Sequence, residues 1–118
     1  MRTFIDILNT VKIYHWGTRS YAEHKATDEL YERLNEHIDQ FIEVLLGKDE
    51  SRIRGIEQST RSMESHSRSD FKSRMYVYRQ FLIRMDDCLD AERDSDLRSI
   101  RDEILANVNQ FLYLMTFK

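Results

Sequence analysis

Proline is absent from this 118-residue chain, glycine occurs three times and cysteine once. Without proline, and with so little glycine, nothing interrupts long helices, and the turn-rich composition of a β-sandwich or barrel is missing. A lone Cys88 rules out an internal disulfide, which fits a reducing compartment; in DDCLDAER it reads as half-buried filler near a helix end rather than a nucleophile. No apolar run approaches the roughly 18 residues that span a bilayer, and MRTFIDILNTVK lacks the layout of a signal peptide, so a cytoplasmic protein with no membrane partner is expected. Cys-x-x-Cys, a glycine-rich phosphate loop and Gly-x-Ser-x-Gly are missing too, which leaves hydrolytic and nucleotide chemistry without support.

What is present is helical periodicity. Hydrophobic residues make up 41% of the chain, enough for one modest core, and one domain over residues 1–118 is expected. The stretch Ser20 to Gly47 organises the rest. Ser20 and Glu23 read as a capping box and Gly47 as a helix stop. Leu30, Leu34, Ile38, Phe41 and Leu45 fall on one side of the helix between them.

Other helices read similarly. Thr3 to Trp16 forms a short first helix, with Thr3 and Asp6 resembling a capping box and Phe4, Leu8, Val11 and His15 on its buried stripe. Asp70 to Glu92 carries Phe71, Met75, Tyr78, Leu82, Met85 and Leu89. A last helix starts at Asp94 or Ser95 and carries Leu97, Ile100, Ile104, Val108, Phe111 and Met115. Between residues 48 and 70 a serine- and arginine-rich connection, with a short helix around Ile53 to Gln58, crosses from one hairpin to the other; His66 lies in it and reads as exposed. The expectation is an all-α four-helix bundle with a longer connection between helices two and three, the ferritin-like arrangement.

Charge is unevenly spread around a net of −3: residues 20–50 hold nine acids and three bases, residues 51–84 eight bases and three acids. Along the organising helix, His24, Asp28, Glu32, Asn35, Asp39 and Glu43 form a second stripe beside the apolar one. His24 and Asp28 are one turn apart, as are Asp39 and Glu43, and each pair can hold one ion. Eleven steps along the helix from Asp28 to Asp39 amount to roughly 16 Å, too far to share an ion within one chain. A two-fold dimer packed antiparallel along this helix sets His24 and Asp28 against the other copy's Asp39 and Glu43, twice over. The bland alternative is a solvated acidic face, with His15 a packed core histidine.

The chemistry is further narrowed by what stands three residues before each histidine: Lys12, Tyr21, Leu34 and Met63. The Glu-x-x-His pairs of a di-iron centre inside one bundle are therefore absent. A mixed imidazole and carboxylate site suits Fe(II), with Mn(II) or Zn(II) as other occupants.

The run KIYHW, then His24 with Asp28 four residues on, then HIDQFIE, and the final SDLRSIRDEILANVNQFLYL together resemble the Dps-like miniferritins of the ferritin-like superfamily. That resemblance implies Fe(II) oxidation by peroxide or dioxygen at a two-fold interface, with iron storage or detoxification. His15, His24 and Asp28 match the ligands of one subunit, and Asp39 and Glu43 those of its mate. Trp16 matches the aromatic neighbour that absorbs stray oxidising equivalents. A homo-oligomer is implied, a dimer at least and a dodecameric cage at most. The chain departs from the pattern in having eight residues between His15 and His24, a few fewer than usual, a short first helix and no lysine-rich N-terminal tail. Two other readings remain beside it. One is a DNA-associated bundle using Arg52, Arg54, Arg61, Arg68, Lys72 and Arg74 against phosphate; the other is a ferritin-like structural bundle without ferroxidase activity.

Overall fold

Long helices with one apolar face each have only one another to pack against, and the computed structural model, which describes residues 2–49, 51, 52, 56 and 70–117, resolves how they do so. Helix α1 spans Arg2–Gly17, α2 Tyr21–Asp49, α3 Phe71–Arg84 and α4 Ser95–Leu114, with a 3-10 turn at Met85–Cys88. The described residues contain no strand. The 29 residues of α2 set the length of the bundle, which measures 43 Å along its longest axis.

Cross-contacts fix the topology. Phe4 meets Phe41 with ring centroids 5.4 Å apart and Phe81 at 5.5 Å, so α1 runs antiparallel to α2 and to α3. Lys48 reaches Asp96 at 3.1 Å while Arg33 bonds Gln110, so α2 and α4 are antiparallel as well. Phe71 against Phe111 and Arg101 against the Leu82 carbonyl give α3 and α4 the same relation. Helices α2 and α3 therefore run in the same direction, and Asp49 and Phe71 stand at opposite ends of the bundle.

The predicted stripes are the core. Leu30, Leu34, Ile38, Phe41 and Leu45 of α2, and Leu97, Ile100, Ile104, Val108 and Phe111 of α4, are all buried. Leu89 is buried beyond α3, and Cys88 packs partly buried against the core.

Four local expectations give way to tertiary contacts. The third helix stops at Arg84 rather than running to Glu92. Asp86 and Asp87 fall just past its end, where acidic side chains oppose the helix dipole. Arg101 draws the chain inward there, donating to the Leu82 carbonyl and to Asp86, and Asp90 takes the backbone N–H groups of Glu92 and Arg93 in a tight turn.

Gly47 does not stop α2, which continues to Asp49, and no glycine among the described residues has positive φ. Asp6 does not cap α1, which already begins at Arg2; its carboxylate instead accepts from Tyr78 at 2.6 Å and Arg74 at 3.3 Å on α3. The α2 capping box is half made: the Glu23 N–H donates to Ser20 Oγ at 3.3 Å, but the Glu23 carboxylate turns away toward α1. The short helix expected around Ile53 to Gln58 lies outside the described residues except for Ile56, which is helical and buried.

Candidate metal-binding face

The α1–α2 turn is only three residues, Thr18 to Ser20, so the last turn of α1 lies directly on the first turns of α2. That tightness brings His15 and His24 together. Their rings stack with centroids 3.8 Å apart and 21° between planes. His15 Nδ1 lies 2.7 Å from the His24 carbonyl oxygen, and His24 Nδ1 lies 2.9 Å from the His15 carbonyl oxygen.

A carbonyl can only accept, so both Nδ1 atoms carry the hydrogen, and in the neutral rings both Nε2 atoms keep a lone pair. A histidine whose one nitrogen is committed to a backbone carbonyl is oriented and tuned to ligate a metal through the other.

Thr27 supports the lock. It is fully buried on the α2 apolar stripe, one step before Leu30, and its hydroxyl sits 3.1 Å from His15 Nδ1 and within reach of the Glu23 and His24 carbonyls. Below it, Tyr14 donates to Glu23 Oε1 at 2.9 Å and Thr18 donates to the same oxygen at 2.6 Å. Burial raises the Tyr14 phenol pKa above its ordinary value, and Glu23 adds to the shift. These supporting residues escaped the sequence reading: Glu23 has the spacing of a cap, and Thr27 signalled only as a polar residue at an apolar position.

Of the residues named from sequence, His15 is buried and His24, Asp28, Asp39 and Glu43 are exposed. Asp39 and Glu43 meet as expected for one turn of separation; a hydrogen bond to Asp39, and its charge, raise the Glu43 pKa above the ordinary carboxylate value. The two pairs do not meet within the chain, and among the described residues no three His, Cys, Asp or Glu side chains surround a common point. Trp16 is 71% exposed at the end of α1, with Lys12 Nζ 5.9 Å from its ring centroid.

The bases named for phosphate binding are partly committed elsewhere. Arg52 grips Asp94 with two nitrogens at 2.9 and 2.7 Å, and Arg74 pairs with Asp6 and Tyr78. Lys72 is exposed; Arg54, Arg61, Arg68 and His66 lie outside the described residues. Among the described residues no helix is long and apolar enough to cross a membrane.

A bundle of four principal helices among the described residues, whose first hairpin carries a locked histidine pair, is the class of molecule these observations define. A family model described as a family of unknown function (DUF5856) matches residues 15–115, and the chain belongs to that family. No curated protein and no solved structure matches the chain.

Proposed function

We propose that this chain is a Dps-like miniferritin: a ferritin-like bundle that binds Fe(II) as substrate between two copies of itself and oxidises it to Fe(III), storing or detoxifying the product. The reciprocal histidine lock carries the reading, because it leaves two imidazole lone pairs at the start of the helix whose exposed flank holds Asp28 and, farther along, Asp39 and Glu43. A packed core histidine has no need of a second ring locked in the same way.

The register of α2 adds support. His24 and Glu43, and Asp28 and Asp39, are each centred on the same point of the helix, between Arg33 and Leu34. Tyr21 and Leu46, 77% and 43% exposed, share that centre. An isologous pair with its axis there sets ligand against ligand and apolar side chain against apolar side chain. Each half-site then has His15, His24 and Asp28 from one copy and Asp39 and Glu43 from the other, a donor set that accepts Fe(II) and also Mn(II) or Zn(II). The carboxylates neutralise the ion, the imidazoles hold it in open coordination, and peroxide or dioxygen removes the electron. Trp16, exposed at the rim, takes stray oxidising equivalents.

The test is aerobic Fe(II) oxidation followed by ferric absorbance. Wild type is expected to outpace buffer, while Asp39→Ala and His24→Ala each fall to the buffer rate with helix content unchanged. Co-expressed, the two variants complement. Random pairing makes half the dimers mixed, each with one intact site of two, so about a quarter of the wild-type rate returns. A wild-type rate equal to buffer ends the reading, and activity in each variant alone would place the chemistry elsewhere.

A further inference from the structure

A helix packed on one side needs one apolar face, and α1 has two. Phe4, Ile7, Leu8 and Val11 go into the core, while the exposed residues of the same helix are Arg2, Ile5, Asn9, Ile13, Trp16 and Gly17. Ile5 is 52% and Ile13 65% exposed. Asp6, the only acid of α1, lies off this ridge, against Arg74 and Tyr78 of α3. Outward positions of α2 are of the ordinary kind, Glu29, Glu32, Glu36 and Gln40 among them. The α1 ridge is the surface that gains from being covered.

The order of its residues says by what. Ile5 and Ile13 stand four residues either side of Asn9, and Arg2 and Trp16 seven. At about 100° per residue the five fall within about 80° of arc, with Asn9 at the middle. Turned end for end about Asn9, the ridge fits its own copy: Ile5 falls on Ile13, and Arg2 on Trp16, a cation on an aromatic ring. An unrelated partner has no need of that symmetry, and a two-fold copy requires it.

Asn9 also suits the centre of such a pair. On a two-fold axis a side chain meets itself, so it must both donate and accept. A lysine or a carboxylate repels its copy there, whereas two carboxamides exchange equivalent N–H to O=C bonds. Slid by one turn, the same amide is buried against isoleucine without a partner, which costs stability. A single asparagine in an apolar helix seam sets register in this way.

The level along the bundle agrees. Phe4 lies on Phe41, and Lys12 Nζ is 4.5 Å from the Tyr31 ring centroid, so Asn9 stands level with the part of α2 between Tyr31 and Phe41. Arg33 and Leu34, which flank the centre of the α2 stripe, lie within it. One two-fold axis therefore serves both helices.

We propose that the exposed ridge of α1 is a self-recognition surface, on which a second copy of this chain packs antiparallel, Asn9 against Asn9, without metal. It shares its partner and axis with the dimer of the ferroxidase reading and none of its chemistry.

Two measurements in EDTA test it. In sedimentation velocity at micromolar concentration wild type is expected to be a dimer, and Ile13→Glu to raise the dissociation constant at least tenfold. Helix content should not change, because the position is exposed in the single chain. In a Cys88→Ser background, Asn9→Cys oxidised with copper phenanthroline should give a disulfide-linked dimer. Ile5→Cys and Ile13→Cys should each link several-fold more slowly alone than as a mixture, since each faces the other across the axis.

A monomeric wild type overturns the proposal. So does a dimer that survives Ile13→Glu, or one that Asn9→Cys does not link, since the contact then lies on another face. A wild-type dimer with the expected links that oxidises no Fe(II) sinks the ferroxidase reading instead and leaves this surface standing.

Discussion

The two ends of the α1–α2–α4 layer solve the same problem with opposite means. At the α1–α2 turn, polar side chains inside the packing are satisfied by bonds that pair no opposite charges: histidine to carbonyl, threonine to carbonyl, phenol to carboxylate. At the other end, where α2 finishes and α4 begins, charge does the work. Asp94 is buried, takes two nitrogens of Arg52, has Lys48 Nζ at 3.9 Å, and accepts the Asp90 N–H at 2.8 Å. Arg52 also donates to the Cys88 carbonyl, so one guanidinium ties α2's end to the loop before α4. The ionic end pairs its buried carboxylate with two bases. The histidine end keeps two nitrogen lone pairs and, farther along the same helix, two neighbouring exposed carboxylates, Asp39 and Glu43. One end is tied by opposite charges; the other is tied by hydrogen bonds to backbone carbonyls and a carboxylate.

Breaking the ionic end should give the largest effect on stability. Asp94→Asn removes a charge-assisted fork and leaves Arg52 facing neutral partners. The cost is expected at about 2 to 3 kcal/mol, below that of a fully buried pair because Arg52 keeps part of its side chain in water. Chemical denaturation at neutral pH measures it. The pH dependence carries a sign. The Arg52 hydrogen bonds, then the Asp90 N–H, hold the Asp94 carboxyl far below the usual carboxylate range. The group is thus ionised in the folded state at pH values where the unfolded chain, near about 3.9, has taken up its proton. Its contribution is present in full above the unfolded value and is lost as pH falls toward the folded one. Wild type should lose stability steeply below about pH 4, and Asp94→Asn less steeply; parallel curves would mean the carboxylate contributes nothing through its charge.

These two ends were unequally legible in the sequence. At the histidine end the sequence showed the α2 stripe, because His24, Asp28, Asp39 and Glu43 recur at helical spacing in one helix, and the apolar stripe beside them fixes which way they point. Even there, Glu23 was assigned to a cap, since a capping box and a carboxylate aimed across the hairpin have the same local spacing. The ionic end was not readable at all: Arg52 and Asp94 are separated by 42 positions and belong to no periodic pattern. Asp6 was missed for the same reason, its partners Arg74 and Tyr78 lying 68 and 72 positions away. The end of α3 followed a third logic, in which the apolar stripe continues through Met85 and Leu89 while the backbone leaves the helix. Burial patterning thus survived where local hydrogen-bonding rules were overruled by a distant partner.

A smaller perturbation sharpens the neutral side of the contrast. Thr27→Val keeps shape and volume at a fully buried position and removes only the hydroxyl beside His15 Nδ1. His15 retains its bond to the His24 carbonyl. Losing one buried neutral hydrogen bond is expected to cost about 1 kcal/mol. The more informative readout is the affinity for Fe(II) or Zn(II) measured by titration calorimetry, which should weaken because the imidazole is now oriented by a single bond. A stability loss with unaltered metal affinity would assign Thr27 to packing alone.

The smallest expected effect lies at the edge of the ionic end, at Gly47. The residue sits inside α2 with helical neighbours on both sides and no positive φ, and a Cβ placed there meets nothing within 4 Å. Glycine in a helix loses more backbone freedom on folding than alanine does, so Gly47→Ala should stabilise the protein by about 0.5 to 1 kcal/mol. The gain reads out as a slightly higher denaturation midpoint with an unchanged slope. If Gly47 instead ended the helix in the left-handed conformation that its sequence position suggests, the same substitution would destabilise. The sign alone therefore tells which conformation the chain adopts in solution, one turn from the Arg52 and Asp94 clamp.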